Sequence, residues 1–391
     1  MEQNPAVALF LALGVIIAAS RIGGALARQF HQPRVLGELI VGVLLGPTVL
    51  DLLHSPMLGG VDLHETIKQL AELGVLMLMF IVGLEVNVKE LAKVGKVAVI
   101  AGFAGAIAPV ILGLPLVLAF GYIWQEALFA GVTLAATSVS ISAQVLLELG
   151  VLRTKVGNAL LATALIDDVL AILLVSLAVA VSAGGAEPAS AEIGELVSIV
   201  VKMALYIVGA FLVAWFGLPR LMNRLDRMPS IRQSYGIPAA ALLLALLFGW
   251  SAQALGGVAA ITGAFIAGVG FSRSKDDIRH EIEHATSNIA YAFLVPIFFI
   301  DVGLQTDLSA FPLSALPLAL LLLLVGLVSK VGGCGLGAKL GGFTNRESMQ
   351  LGVCMISRGE VGLIIATLGL TSGVFHADQP LFASLFLVIL L

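Results

Sequence analysis

Ala164-Leu165-Ile166-Asp167-Asp168-Val169-Leu170-Ala171 sets two adjacent carboxylates inside an apolar run from Val156 to Ala183. An Asp ahead of an apolar run commonly caps a helix. Here the run after Asp168 has about 15 residues, short of the roughly 20 that cross the hydrocarbon of a bilayer. Both carboxylates are therefore expected inside the membrane, where an ionisable group is costly and marks function. The rest of the chain agrees. Of 391 residues, 59% are hydrophobic and 12% charged, against about 25% charged in a soluble domain, and the mean hydropathy is +1.06. That composition excludes a water-soluble enzyme and predicts an all-α polytopic membrane protein. The net charge of −4 points to no nucleic acid partner. Cys334 and Cys354 both lie in apolar runs, with neither metal-site spacing nor the numbers for a disulfide framework. Met1–Pro5 lacks the basic residues of a cleavable signal.

About thirteen segments are apolar enough to span. They lie near 6–27, 35–51, 68–84, 97–121, 126–147, 156–183, 196–218, 236–250, 254–271, 287–304, 313–338, 348–370 and 380–391. The last is still apolar at Leu391, so the expectation is a final helix cut short, with room for a C-terminal regulatory domain beyond it. Basic loops set orientation. One side collects Arg28, Arg34, Lys89, Lys93, Lys96, Arg153, Lys155, Arg220, Arg224, Arg227, Arg232, Arg273, Lys275, Arg279, Lys339 and Arg346. The opposite loops hold Lys68 among Asp51, Asp62, Glu65, Glu187, Glu192, Glu195 and Asp378. This asymmetry puts the N-terminus outside and the basic loops in the cytoplasm of a cell (inner) membrane. Membrane lipid is then an expected partner.

The chain resembles itself at an offset of roughly 220 residues, a pattern of secondary transporters built from inverted repeats. Val35-Leu36-Gly37-Glu38-Leu39-Ile40-Val41-Gly42 reads like Ile261-Thr262-Gly263-Ala264-Phe265-Ile266-Ala267-Gly268. Phe80-Ile81-Val82-Gly83-Leu84 reads like Phe299-Ile300-Asp301-Val302-Gly303-Leu304 with one insertion. Segments one to six then match eight to thirteen, in opposite orientations, with segment seven as connector. Segments five and twelve correspond, and both are interrupted. Thr137-Ser138-Val139-Ser140-Ile141-Ser142-Ala143-Gln144 is polar within one run, and Ser357-Arg358-Gly359-Glu360 divides the other. Hydroxyls and Gly at that depth can satisfy an unwound backbone. Ordinary packing by small residues and a cytoplasmic loop are the competing readings of the two tracts.

Adjacent carboxylates on a helix point about 100° apart, so one can face a cavity while the other pairs with a cation. Lys330 is the candidate partner. Asp167 and Lys330 both lie some 14–16 Å from the cytoplasmic ends of their helices at about 1.5 Å per residue. A lysine snorkelling towards a helix end is the alternative. Gly332, Gly333, Gly335 and Gly337 follow Lys330 and allow close helix approach. Burial disfavours the charged form of a carboxylate or an ammonium, so a proton and a small cation compete for one carboxylate. That competition is an exchange mechanism that needs no cofactor. Oxygen ligands suit Na⁺, Li⁺ or K⁺, and the scattered histidines give no transition-metal cluster. His280 and His284 fit a solvated loop helix, with a pH sensor as the alternative. Glu38 is expected to cap or to pair with a loop arginine, and Glu85 to end segment three beside Lys89.

Several stretches together resemble the monovalent cation:proton antiporter-2 family, which includes Kef-like and NapA-like proteins. They are Gln32-Pro33-Arg34-Val35-Leu36-Gly37-Glu38, Phe80-Ile81-Val82-Gly83-Leu84-Glu85, Ala136-Thr137-Ser138-Val139, Leu147-Glu148-Leu149-Gly150-Val151-Leu152, Ile166-Asp167-Asp168-Val169-Leu170 and Arg358-Gly359-Glu360-Val361-Gly362-Leu363. The resemblance covers nearly the whole chain. It implies a sodium/proton-antiporter-like fold with two crossed broken helices, in a homodimer. Residues 1–65 and 219–284 would form a dimerisation scaffold, 66–183 and 285–391 a translocating core that moves as an elevator, and 184–218 a connecting helix. Asp168 would carry Na⁺ or the proton, with Thr137 as a further Na⁺ ligand, and Asp167 would pair with Lys330. Thr137 and Ser138 would sit at one break, Arg358 and Glu360 at the other, compensating helix-end charge. An Asp-Asp pair resembles the electrogenic Na⁺/H⁺ branch, whereas the potassium efflux branch usually has Gln-Asp. The expected activity is Na⁺ (or Li⁺) for H⁺ exchange, with K⁺/H⁺ exchange or ligand-gated K⁺ efflux as the alternative. A channel or a membrane enzyme finds no supporting motif.

Overall fold

The computed structural model describes residues 4–390 apart from 56–57, 59, 87–90, 92, 183–189, 229–234, 306–310 and 377–378. Lys89, Glu187, Arg232 and Asp378, which enter the loop-charge argument, lie outside the described residues. In chain order the helices are α1 (Pro5–Gln29), α2 (Arg34–Leu45), α3 (His64–Glu85), α4 (Gly95–Ala119), α5 (Trp124–Ala135), α6 (Val139–Glu148), α7 (Lys155–Ser182), α8 (Ser190–Leu212) and α9 (Leu218–Leu225). They continue as α10 (Gly236–Ser251), α11 (Ala260–Phe271), α12 (Asp276–Ile289), α13 (Val295–Leu304), α14 (Leu316–Leu340), α15 (Asn345–Cys354), α16 (Glu360–Thr371) and α17 (Pro380–Leu390). Among the described residues, nine helical stretches are long and apolar enough to cross a membrane. This is an all-helical, multi-pass membrane protein. Several of the expected spans are shorter. Segment two ends at Leu45 rather than 51, because Gly46 turns extended (ψ −177°) ahead of Pro47, and a residue before proline avoids the helical region.

The chain divides into two compact units. The first is Met1–Val86, Tyr206–Leu255 and Ala259–Ala310; the second is Asn87–Leu205, Gly256–Val258 and Phe311–Leu391. Residues 66–86 and 285–310, expected with the Asp168 half, therefore belong to the other unit. Glycine contacts explain why. A Cβ on Gly83 would lie 2.4 Å from the Phe265 carbonyl oxygen, and one on Gly42 would lie 2.5 Å from that of Ile300. These contacts let α3 lie on α11, and α2 on α13, backbone to backbone.

In the first unit a π-helical turn, Ala290–Leu294, joins α12 to α13 just ahead of Pro296. Proline lacks the N–H that a carbonyl one turn earlier would accept. Arg21 of α1 supplies the donors instead: its Nη2 donates to the carbonyls of Tyr291 (2.7 Å) and Ala292 (3.2 Å). Glu38 is buried, accepts from Ser20 Oγ (3.0 Å) and lies 3.6 Å from Arg34. The second unit is built on α4 against α14. A Cβ on Gly333 would lie 2.6 Å from the Ala104 carbonyl oxygen, and one on Gly337 would lie 2.6 Å from the Ala101 Cα. Gly335 instead meets the Ser348 carbonyl oxygen of α15, and a Cβ on Gly332 would enter open space. Of the four glycines after Lys330, two serve the approach of α14 to α4.

Candidate functional site

All of the site lies within the second unit. Between α5 and α6 the backbone leaves helical geometry at Ala136 (ψ 137°) and Ser138 (ψ 103°). Between α15 and α16 it does so over residues 356–359. An interrupted helix exposes N–H and C=O groups that the apolar interior cannot solvate. Here the two interruptions satisfy each other. The Ser138 N–H donates to the Ser357 carbonyl (2.9 Å), and Ser357 Oγ donates to the Ser138 carbonyl (2.7 Å). Ser142 Oγ donates to the Cys354 carbonyl (2.6 Å) and lies 2.6 Å from Ser357 Oγ.

Arg358 reaches from the second interruption to the end of α5. Its Nη1 donates to the carbonyls of Leu134 and Ala136, the latter at 3.3 Å. The last carbonyls of a helix carry partial negative charge, and a guanidinium there neutralises it. Gly326 of α14 gives Arg358 room, since a Cβ there would lie 2.8 Å from Nη2. Glu360 opens α16, while its side chain lies outside the described residues.

Asp167 and Lys330 meet. Lys330 Nζ donates to Asp167 Oδ1 (2.9 Å) and Oδ2 (3.1 Å), with relative exposures of 0% for the lysine and 2% for the aspartate. Such burial leaves no route to water for the ammonium, so the snorkelling alternative does not describe Lys330. Asp168, next along α7, is half-buried. Thr137 and Ser138 are buried, and Thr137 Oγ1 has no hydrogen-bond partner among the described residues. That orphaned oxygen is a free hard donor at the break. No group of three His, Cys, Asp or Glu fit for a metal occurs among the described residues. Cys334 and Cys354 are free thiols.

At the edge of this unit, outside the spans, Thr344 caps α15 and Glu347 returns the bond to the Thr344 backbone N–H (2.8 Å). Lys155, at the start of α7, donates to Glu347 Oε1 (2.9 Å). That hydrogen bond, with the Thr344 N–H, pulls the Glu347 carboxyl down to about 2.

The bridging role of Ser142 and the carbonyl partners of Arg358 are not visible in sequence. The polar tract marks where the helix opens, but not which hydroxyl faces the other break.

The family model for "Sodium/hydrogen exchanger, transmembrane" matches residues 10–391. The chain belongs to the sodium/hydrogen exchanger family. This is a family of transporters, not of enzymes. Among curated relatives, a probable Na⁺/H⁺ antiporter of Bacillus cereus, GerT, is 35% identical, over 95% of this chain and 93% of its own. GerN of the same organism, named a Na⁺/H⁺-K⁺ antiporter, is 34% identical, over 98% and 92%. Among solved structures, the sodium proton antiporter MjNhaP1 of Methanocaldococcus jannaschii aligns with a TM-score of 0.68 at 16% identity, over 99% of this exchanger chain and 94% of that one. At that identity the likeness speaks for the fold alone.

Proposed function

We propose that this exchanger moves Na⁺ (or Li⁺) against H⁺, with Asp168 as the carrier. The observation that carries the reading is the buried Asp167–Lys330 pair beside a second, half-buried carboxylate. Asp167 is held by the ammonium, and the half-buried carboxylate beside it, Asp168, takes either a proton or a hard cation in this reading. Thr137 Oγ1, buried and unpartnered among the described residues, supports a further cation ligand. Arg358 and Glu360 compensate the helix ends at the breaks. The relatives' names, Na⁺/H⁺ antiporters, support the same cargo.

The finer architecture is also a proposal. We place the chain in the monovalent cation:proton antiporter-2 branch, with thirteen spans and α5–α6 crossing α15–α16 as two broken helices. The mutual hydrogen bonds of the breaks support the crossing. Inverted repeats find support in matched glycine contacts. Gly42 meets Ile300 and Gly303 as Gly268 meets Phe80 and Gly83. The unit carrying Asp168 moves as an elevator against the other, which forms the dimer interface of a homodimer. The N-terminus faces outward from a cell membrane. Exchange of two protons per Na⁺ would make the cycle electrogenic, and loss of a proton from Lys330 as it releases Asp167 could supply the second. A K⁺/H⁺ reading on the same site is favoured by one observation, the name of GerN.

Proteoliposomes holding a pH-sensitive dye test the proposal. Na⁺ or Li⁺ pulses should move protons through the wild type and not through Asp168→Asn. Transport at the wild-type rate in that variant would remove Asp168 from the carrier role. A response to K⁺ alone would select the second reading.

A further inference from the structure

Asp301 is a buried carboxylate that the ion site does not use. It lies on α13 in the first unit, 3% exposed. Its Oδ2 accepts from Gln305 Nε2 (2.7 Å), while Oδ1 has no hydrogen-bond partner among the described residues. Asp167, equally buried, is held by an ammonium; Asp301 is held by one neutral amide.

The fold does not require a carboxylate there. The contacts of Gly42 with Ile300 and Gly303, and of Gly268 with Phe80 and Gly83, put Ile300 in register with Phe80 and Gly303 with Gly83. The sequence match of Phe80 to Phe299 with an insertion is one residue out. In this register Asp301 occupies the position of Ile81, which is 1% exposed. One packing position is thus hydrocarbon in one half of the unit and a carboxylate in the other.

The surroundings suit a carboxyl that binds a proton. An ionised carboxylate with no paired cation is costly in an apolar interior, so the protonated form is accommodated. Asp301 is three residues from the end of α13, about 5 Å in rise, and α3, which packs against α13, carries the exposed His64, Lys68 and Glu72 in its first turns. From α1, Arg21 is engaged with the Tyr291 and Ala292 carbonyls, well before Asp301 on the chain. From α2, Glu38 is engaged with Ser20 and Arg34, and glycines 42 and 46 make the approach.

We propose that Asp301 is a second proton-binding site, separate from the Asp167–Asp168–Lys330 site, that exchanges its proton with the solution bathing His64 and Lys68. The site is built by the Oδ1 that has no hydrogen-bond partner among the described residues, the Gln305 amide and the exposed first turns of α3.

Infrared difference spectra of the purified full-length chain between acid and alkaline pH, without Na⁺, read protonated carboxyl groups directly. One titrating carboxyl band should be lost in Asp301→Asn and Asp301→Ile and kept in Asp168→Asn. The Ile variant carries the side chain found at position 81, and the Asn variant can still accept from Gln305; either supplies folded protein, checked by its melting transition. Both should keep cation-driven proton movement. A band unchanged in the Asp301 variants, or no such band in the wild type, overturns the proposal. Loss of exchange in a folded Asp301 variant also overturns it, by placing Asp301 in the exchange path.

Discussion

At the scale of residues, the proposed ion site turns on two carboxylates one position apart. Asp167 is bound by Lys330 through both oxygens, and Asp168 is half-buried. Removing one partner of a buried pair leaves an uncompensated charge and costs about 3–5 kcal/mol. Lys330→Ala should therefore lower unfolding stability by that order, and Asp167→Asn with Lys330→Met should restore most of it. Equal stability of the single and double variants in detergent unfolding would argue against a charge-paired site. The Lys155–Glu347 bond makes a prediction of opposite weight. Glu347 is held at about 2, below its ordinary 4.5. Its contribution is full above pH 4.5 and disappears as pH falls through 2. Exposed pairs contribute less than about 1 kcal/mol, so Glu347→Gln should leave the melting temperature at neutral pH nearly unchanged. The pairing of Asp167 with Lys330 was legible because depth in a membrane helix follows from residue count. The partners of Arg358 were not legible, because backbone carbonyls carry no signature in side-chain chemistry.

At the scale of elements, broken and bent helices are completed by distant donors. Arg21 donates to two carbonyls of the π turn before Pro296. Both hydrogen bonds are exposed, so Arg21→Leu should cost no more than about 0.5–1.5 kcal/mol, read as slightly earlier unfolding; an unchanged unfolding midpoint would mean solvent serves those carbonyls equally well. Glycine contacts set the other joints. A Cβ on Gly268 would come within 2.2 Å of the Phe80 carbonyl oxygen, so Gly268→Val should cost about 1–3 kcal/mol or more by overpacking. Helix breaks at residues 136–138 and 356–359 were legible from polar tracts that interrupt apolar runs. The register of Phe80 was not, because two adjacent phenylalanines, Phe298 and Phe299, precede Ile300 and only the glycine contacts choose between alignments.

At the scale of the molecule, composition alone gave a helical membrane protein, and loop charge gave an orientation that rests on that argument. The division into units was less legible. Two of their boundaries fall at Val86 and Ala310, because backbone contact between α3 and α11 and between α2 and α13 outweighs position along the chain. The account's central claim is that a proton and Na⁺ compete for Asp168. The most direct test needs no membrane: Na⁺ is added to weakly buffered, purified exchanger and the pH is followed. Wild type should release protons on Na⁺ addition and Asp168→Asn should release none. Equal release from the two proteins would contradict the claim.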